Sequence, residues 1–409
     1  MRLKDVTEFC PAYSGPWRTD KVAFVPMEAL RYDSIAQQEI PFVEAKGKYT
    51  FFGEGDLLFA KVTPCFENGN IAVATNLKGG IGFGSSEIFV LRAKPGLNNR
   101  YLFYVVQASP FLDGGCATMC GVGGLKRMSP LYPRTFEWDV PDVRLQHRIV
   151  SYLDEKTAAI DGRVTLLEKK LAAFKRLKAS IINRAVTKGL DLKTRLKNSD
   201  NFWIGKIPVK WEIGRVEAYY EIKLGKMLCN EPLDQSYSLQ PYVCALNVHN
   251  DGVCLEALKQ MWFSPNEAKD NAISNGDLLI VEGGAGAGGC SIVSGVYGTI
   301  CMQNSILRIR GKQFSNGYLC YWLQNLNERG YINYACNVST IAHFTKEKIG
   351  AVEMPVPTVE EQFSIADYLD AECGKIDKAA ELVAREIELY RKLKRSLINE
   401  VVTGRRVVA

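Results

Sequence analysis

Val140–Thr187 reads VPDVRLQHRIVSYLDEKTAAIDGRVTLLEKKLAAFKRLKASIINRAVT, and Val356–Thr403 reads VPTVEEQFSIADYLDAECGKIDKAAELVAREIELYRKLKRSLINEVVT. They align without a gap over 48 positions at an offset of 216 (356 − 140). Identical pairs include Gln146/Gln362, Ile149/Ile365, Tyr152/Tyr368, Asp154/Asp370, Ile160/Ile376, Asp161/Asp377, Leu177/Leu393 and Asn183/Asn399. The chain therefore contains an internal repeat. Each copy carries an apolar seam at steps of three and four, or their sum. The first runs through Ile149, Leu153, Ile160, Val164, Leu167, Leu171, Phe174, Ile181 and Ala185. The second runs through Ile365, Leu369, Ile376, Ala380, Val383, Ile387, Tyr390, Leu397 and Val401. This is coiled-coil spacing, and it predicts two helices of ~60 Å if each continues for ~40 residues. Pro141 and Pro357 precede the helices, where proline is tolerated. Neither seam can stay in water, so the helices are expected to pair. Antiparallel pairing is favoured because it gives the duplicated chain a pseudo-twofold axis. Gly162 is a candidate bend in the first helix.

The repeat continues upstream more weakly. GDLLFAKV at Gly55 answers GDLLIVEG at Gly276, and Tyr101-Leu102-Phe103-Tyr104 answers Tyr318-Leu319-Cys320-Tyr321. The offset drifts from 221 to 217, as loop insertions would produce. The Gly-Asp-Leu-Leu segments suit buried strands after a turn, and Glu87–Arg92 and Ser305–Arg310 read as further strands. Tyr101–Gln107 and Tyr318–Asn325 read as short helices. The expected fold is α+β: two mixed α/β domains and two long paired helices, related by an internal pseudo-twofold repeat. The boundaries are 1–140 for the first domain, 141–190 for the first helix, 191–356 for a linker and the second domain, and 357–409 for the second helix. Asn198–Pro208 reads as linker. Because domain–helix–domain–helix is a cycle cut once, Val402 is expected to lie near Met1.

The 409 residues, 47% hydrophobic and 23% charged, suit a globular chain and exclude a disordered or collagen-like one. No apolar run approaches the ~20 residues of a membrane span, and MRLKDVTEFC lacks a signal-peptide core, so a cytoplasmic location is expected. Twelve Cys without CxxC spacing and three His do not compose a zinc site, and Cys116 and Cys120 read as buried small residues. The net charge of +6 is unevenly placed: Lys169–Lys197 holds ten Lys or Arg and one acid, Asp191. A second run, Arg385–Arg406, holds seven against Glu386, Glu388 and Glu400. Such runs suit either a nucleic-acid footprint or the solvated face of a helix.

Motifs for catalysis are sparse. Gly284–Gly289 matches GxGxxG, but the following CSIVSGVYG is β-branched and glycine-broken. No helix is expected to open there to face a pyrophosphate. A flexible loop between strands is the favoured reading, with an oxidoreductase built on that loop as a remote alternative. Asp142, Asp154 and Lys156 imitate a nuclease pattern, yet Asp154 and Lys156 fall on the seam-bearing helix rather than on a sheet. His147 corresponds to Phe363 in the second copy and is expected to be structural or exposed. His343 corresponds to Arg127 and suits a polar contact. The Asn/Asp-Pro-Pro-aromatic tetrapeptide of adenine amino-methyltransferases does not occur. A binding subunit is favoured over an enzyme.

With these residues in view, the chain resembles the specificity subunit of Type I restriction-modification systems. The marks are VPxVxxQxxIxxYLDxxxxxID and LKxSxIN(R/E)xVT, each present twice behind a variable domain, and the entry FWIGKIPVKWEIGRV. Leu145 departs from the family's usual Glu before Gln146, which Glu361-Gln362 keeps. The resemblance implies two target-recognition domains, each reading half of a bipartite, asymmetric double-stranded DNA target. The paired helices would space the domains and dock two modification subunits, which bring S-adenosylmethionine. A restriction subunit using ATP and Mg would complete the complex. No cofactor, metal or catalytic residue is expected in this chain. Base reading belongs on loops, while Lys and Arg to phosphate add affinity without sequence information. The candidates are Lys61, Glu67, Asn68, Lys126 and Arg127 in the first domain and Glu282, Asn337, Ser339 and His343 in the second. For helix pairing they are Ile149, Leu153, Ile160, Leu167, Leu171, Phe174, Ile365, Leu369, Ile376, Val383, Ile387 and Tyr390. The alternative is a coiled-coil scaffold whose domains bind something other than DNA.

Overall fold

The computed structural model describes residues 1–18, 20–121, 124–336 and 342–408. The chain divides into two units, Met1–Glu168 with Ala384–Ala409, and Lys169–Val383. The long helices are Val143–Lys188 and Val359–Val402, and the first runs without a break through Gly162. Each contributes one portion to each unit.

The first unit is built around an antiparallel sheet in the order Thr7–Phe9, Ile88–Ala93, Leu57–Ala60, Ile71–Val73. A second sheet is ordered Gln38–Pro41, Lys21–Val25, Ile81–Gly84, Thr50–Gly53, its central pair parallel. The predicted Gly-Asp-Leu-Leu strand lies between two cores. Leu57 and Phe59 face the cluster containing Tyr101, Ile149 and Leu153, while Leu58 faces the second sheet with Val25 and Phe52. Period-two alternation explains this: a strand covered on both faces has no polar side to show.

The second unit repeats the plan. Its antiparallel sheet is ordered Tyr220–Leu224, Ile306–Gly311, Leu278–Val281, Cys290–Ile292. Leu278 and Ile280 face the cluster holding Tyr318, Ile365 and Leu369; Leu279 and Val281 face the opposite one. Three further strands, Lys259–Phe263, Ser238–Val243 and Cys301–Met302, form the second sheet, again with one parallel pair. In both copies the glycine has left-handed backbone, φ +84° at Gly55 and +88° at Gly276. The buried aspartate after it accepts a turn N–H and then a bidentate arginine from the neighbouring strand. These pairs are Asp56–Arg92, at 2.9 and 2.7 Å, and Asp277–Arg310, at 2.6 and 2.7 Å.

The helices run antiparallel within each unit. In the first, Lys394 Nζ binds the Asp161 carboxylate at 2.6 Å, and Ile149 and Leu153 share a cluster with Leu397 and Val401. In the second, Lys178 Nζ binds Asp377 at 2.7 Å, and Ile182 and Ala185 share one with Ile365 and Leu369. These two ion pairs are the same pair, carried once by each repeat. Of the seam residues, Ile149, Leu153, Leu167, Ile365, Leu369, Val383 and Ile387 are buried, while Ile160, Leu171, Phe174, Ile376 and Tyr390 are half-buried. Leu177 and Leu393 are identical between copies yet half exposed.

Two expectations are corrected. Asn198–Pro208 is not a bare linker, because Leu196–Asn198 pairs with Lys206–Pro208 as a hairpin. Asn201 Oδ1 accepts from the N–H groups of Trp203 and Ile204 at its turn, and Ile204, Ile207 and Trp211 enter the core. Cys116 and Cys120 are exposed rather than buried, since the helix Ser109–Ala117 buries Phe111 and Gly115 instead. Leu3 and Val408 belong to one buried cluster of the first unit. Among the described residues no helix is long and apolar enough to cross a membrane.

Candidate nucleic-acid interface

Identical residues of the repeats fasten each domain to its helix. Gln146 is fully buried: its Oε1 accepts from Asn98 N at 2.8 Å, and its Nε2 donates to Gly96 O and Pro141 O at 3.0 and 2.9 Å. Gln362 accepts from Ser315 N at 3.3 Å and donates to Pro357 O at 3.2 Å. Asn98 and Ser315 are the caps of the short helices Asn99–Val105 and Asn316–Glu328, so each glutamine ties a long helix to a capped helix start. Asp154 accepts from Tyr104 Oη at 2.6 Å, and Asp370 accepts from Tyr321 Oη at 2.7 Å. This accounts for the nuclease-like aspartates: Asp154 anchors a domain, and Asp142 caps its helix by accepting from Leu145 N. Among the described residues no three His, Cys, Asp or Glu are grouped to hold a metal.

The candidate readers lie beyond the buried strand of each domain. In the first, Lys61 N donates to Glu87 O, and Met128 N donates to Lys61 O at 2.8 Å. Thr63 N binds Lys126 O at 2.9 Å. This backbone frame brings Lys61, Lys126 and Arg127 together. The Arg127 guanidinium grips the Glu87 carboxylate at 3.0–3.1 Å, which holds that carboxyl below its usual range. Lys61 Nζ lies 5.3 Å from the Phe89 ring centre. Glu67 and Asn68 line a cleft of about 470 Å³ with Phe66 and with Arg391 and Arg395 of the second long helix.

The second domain uses the same frame with other side chains. Glu282 N donates to Ser305 O at 2.9 Å and Phe344 N to Glu282 O at 2.7 Å. Here His343 Nδ1 lies 3.4 Å from the Glu282 carboxylate, so two candidates meet. A Cβ on Gly283 would sit 2.7 Å from that nitrogen, so any side chain there would push the imidazole aside. The glycine loop runs straight into the strand Cys290–Ile292, and no helix opens at it. Gly284, Gly286 and Gly289 border a cleft of about 430 Å³ with His249, Asn250 and Asn333. Asn337 and Ser339 lie outside the described residues. His147 is exposed, its Nδ1 3.4 Å from Asn98 Nδ2.

Two residues of each basic run face acids of the same chain outside that run: Lys175–Glu328 and Lys178–Asp377 from the first, Arg391–Glu168 and Lys394–Asp161 from the second. Sequence reasoning missed a network in the first unit. Arg100 bridges Asp33, through two hydrogen bonds, and Asp154, at 2.8 Å, while Lys394 Nζ stands 3.8 Å from the Tyr32 ring centre. No local spacing announces partners 67 and 54 positions apart.

A duplicated backbone frame carried on two long antiparallel helices defines the architecture. Residues 208–383 match the family described as Type I restriction modification DNA specificity domain. The chain is 36% identical over 154 residues to the Type I restriction enzyme EcoEI specificity subunit of Escherichia coli. It is 34% identical over 152 residues to the EcoAI specificity subunit of the same organism. These stretches cover 37% and 36% of this chain, and the chain spans 26% of the length of each of those relatives. A fainter likeness, 20% over 391 residues, takes in 93% of this chain and 85% of the Type I restriction enzyme MjaVIII specificity subunit of Methanocaldococcus jannaschii. Among solved structures, a chain reported under "Structural basis underlying complex assembly and conformational transition of the type I R-M system" superposes with a TM-score of 0.73. It is 16% identical, over 99% of this chain and 97% of that one. The HsdS subunit from Thermoanaerobacter tengcongensis superposes at 0.52 with 17% identity, over 99% and 96%. Residues 208–383 are thus similar to the Type I restriction-modification specificity domain, and the superpositions show the shared fold over the whole chain.

Proposed function

We propose that each domain reads one half of a bipartite, asymmetric DNA target, with the helix pair setting the spacing of the halves and docking two modification subunits. The observation that carries this reading is one frame with two chemistries. Lys61, Glu87 and Arg127 in the first domain correspond to Glu282, Ser305 and His343 in the second. Different donors and acceptors at equivalent positions would select different bases, because major-groove edges differ in just those groups. Lysine and arginine around them would meet phosphate and add affinity without sequence information. Half-sites about one helical turn apart, roughly 34 Å, suit two readers held by stiff helices.

On this reading the chain itself neither methylates nor cuts. Modification subunits supply S-adenosylmethionine and the methyl transfer, and a restriction subunit supplies ATP- and Mg-dependent cleavage, all in the cytoplasm. The test is methyl transfer to random-sequence DNA by the pure chain, by modification subunits, and by both together. Transfer is expected only from the mixture, with one bipartite motif marked. Transfer by the pure chain would refute the division of labour. Transfer by the mixture without a preferred motif would favour the scaffold reading.

A further inference from the structure

The two units differ where Arg100 sits. In the first unit its guanidinium joins Asp33, at the tip of the turn between Leu30–Arg31 and Ser34–Ile35, to Asp154 on the long helix. It also lies 4.3 Å from the ring centre of Phe103 and 5.4 Å from that of Tyr104. The second unit builds the same turn between Val248–His249 and Gly252–Val253, so Asp251 corresponds to Asp33. The repeat makes Asp370 the counterpart of Asp154, and Tyr321 that of Tyr104, with the same tyrosine-to-aspartate hydrogen bond. The counterpart of Arg100 is Gly317, which removes the cation but leaves both carboxylates.

The space is open. Asp251, Gly317, Tyr321 and Asp370 line one cleft of about 570 Å³. Tyr32 and Phe103 are replaced by the smaller Asn250 and Cys320, both also on its wall. Among the described residues the one cation lining the cleft is Lys178, which is joined to Asp377 at 2.7 Å. No cation of the described residues forms an ion pair with Asp251 or Asp370, and both are exposed. Two carboxylates set to hold a planar, bidentate cation in one copy thus stand without one in the other.

We infer that this cleft is a guanidinium-binding site, filled by an arginine side chain of a partner polypeptide. Guanidinium matches paired carboxylates in a way that a compact ammonium does not, and the Tyr321 ring remains to receive its face. The first unit supplies the precedent, because its occupant is an arginine reaching in from a helix start. A volume of about 570 Å³ has room for the aliphatic stem as well as the head group.

The test is an NMR titration of the full chain with methylguanidinium, followed on the probe's methyl resonance, against tetramethylammonium at equal ionic strength. One saturable site with a dissociation constant on the order of millimolar is expected. Asp251→Asn should weaken it at least about tenfold, since it removes half of the bidentate pair. Arg100→Gly recreates the vacancy in the first unit and should add a second site. If that variant does not fold, the comparison of wild type with Asp251→Asn decides alone. N-acetyl-arginine methylamide should bind more tightly than methylguanidinium, whereas weaker binding would mean a small free cation and overturn the polypeptide source. No saturable binding, or binding unchanged by Asp251→Asn, overturns the site.

Discussion

Replacing Gln146 by leucine keeps the volume of a fully buried side chain and removes three hydrogen bonds. The groups left behind are Asn98 N–H, Gly96 O and Pro141 O, all partly buried. A stranded buried group costs about 1–3 kcal/mol, and partial access of water favours the lower end, so the sum is about 3 kcal/mol. For a unit near 200 residues this is ~6–12 °C in melting temperature. Gln362→Leu should cost a similar amount: its three bonds, to Ser315 N, Tyr220 Oη and Pro357 O, are longer at 3.2–3.3 Å, but the groups left behind are buried. Thermal melts followed by circular dichroism give the size, and hydrogen exchange gives the place. Amides of Asn99–Val105 should exchange faster in Gln146→Leu, because Asn98 caps that helix. A Gln146→Leu protein that melts within about 1 °C of wild type, with unchanged exchange there, would refute the claim that this glutamine fastens domain to helix.

Leu167→Asp and Val383→Asp, each placing a charge at a position about 4% exposed, should each destabilise by several kcal/mol, and wild-type melts would contradict seam burial. Arg127 holds the Glu87 carboxyl below its ordinary value of 4.5, so that pair's contribution is full above about pH 4.5 and is lost as pH falls through the lowered value. Because Arg127 is half exposed, solvent screens the pair, and Arg127→Gln should flatten the acid side of a melting-temperature profile only slightly. Joining Met1 to Ala409 through a short linker and opening the chain between Gly189 and Lys193, ahead of the hairpin, should leave a folded subunit, checked by its melt and its methylated motif.

The repeat was the most legible part of the fold, because its seams and its turn glycines obey local rules. Gly55 and Gly276 mark the turns before the buried strands, whereas the ion pairs of Asp56 with Arg92 and Asp277 with Arg310 come from strands that only the fold brings alongside. Why Gln146, Asp154 and Asp161 recur was not legible, since their partners Asn98, Tyr104 and Lys394 are supplied by other elements. The hairpin around Asn201 was missed for a related reason. Its turn is closed by an asparagine side chain, a signal that any polar loop imitates. At the candidate interface, loop position was readable and pairing was not. His343 and Glu282 were named separately, and an isolated bridge between Gly283 and His343 brings their side chains to 3.4 Å.

The central claim is that two domains read two half-sites independently. Replacing residues 1–139 with the matching domain of a relative, and mapping the methylated motif in a host without other systems, tests it most directly. The proposal predicts that one half-site changes while the other half-site and the spacing stay as they were. A chimera that alters both half-sites together, or neither, would contradict it.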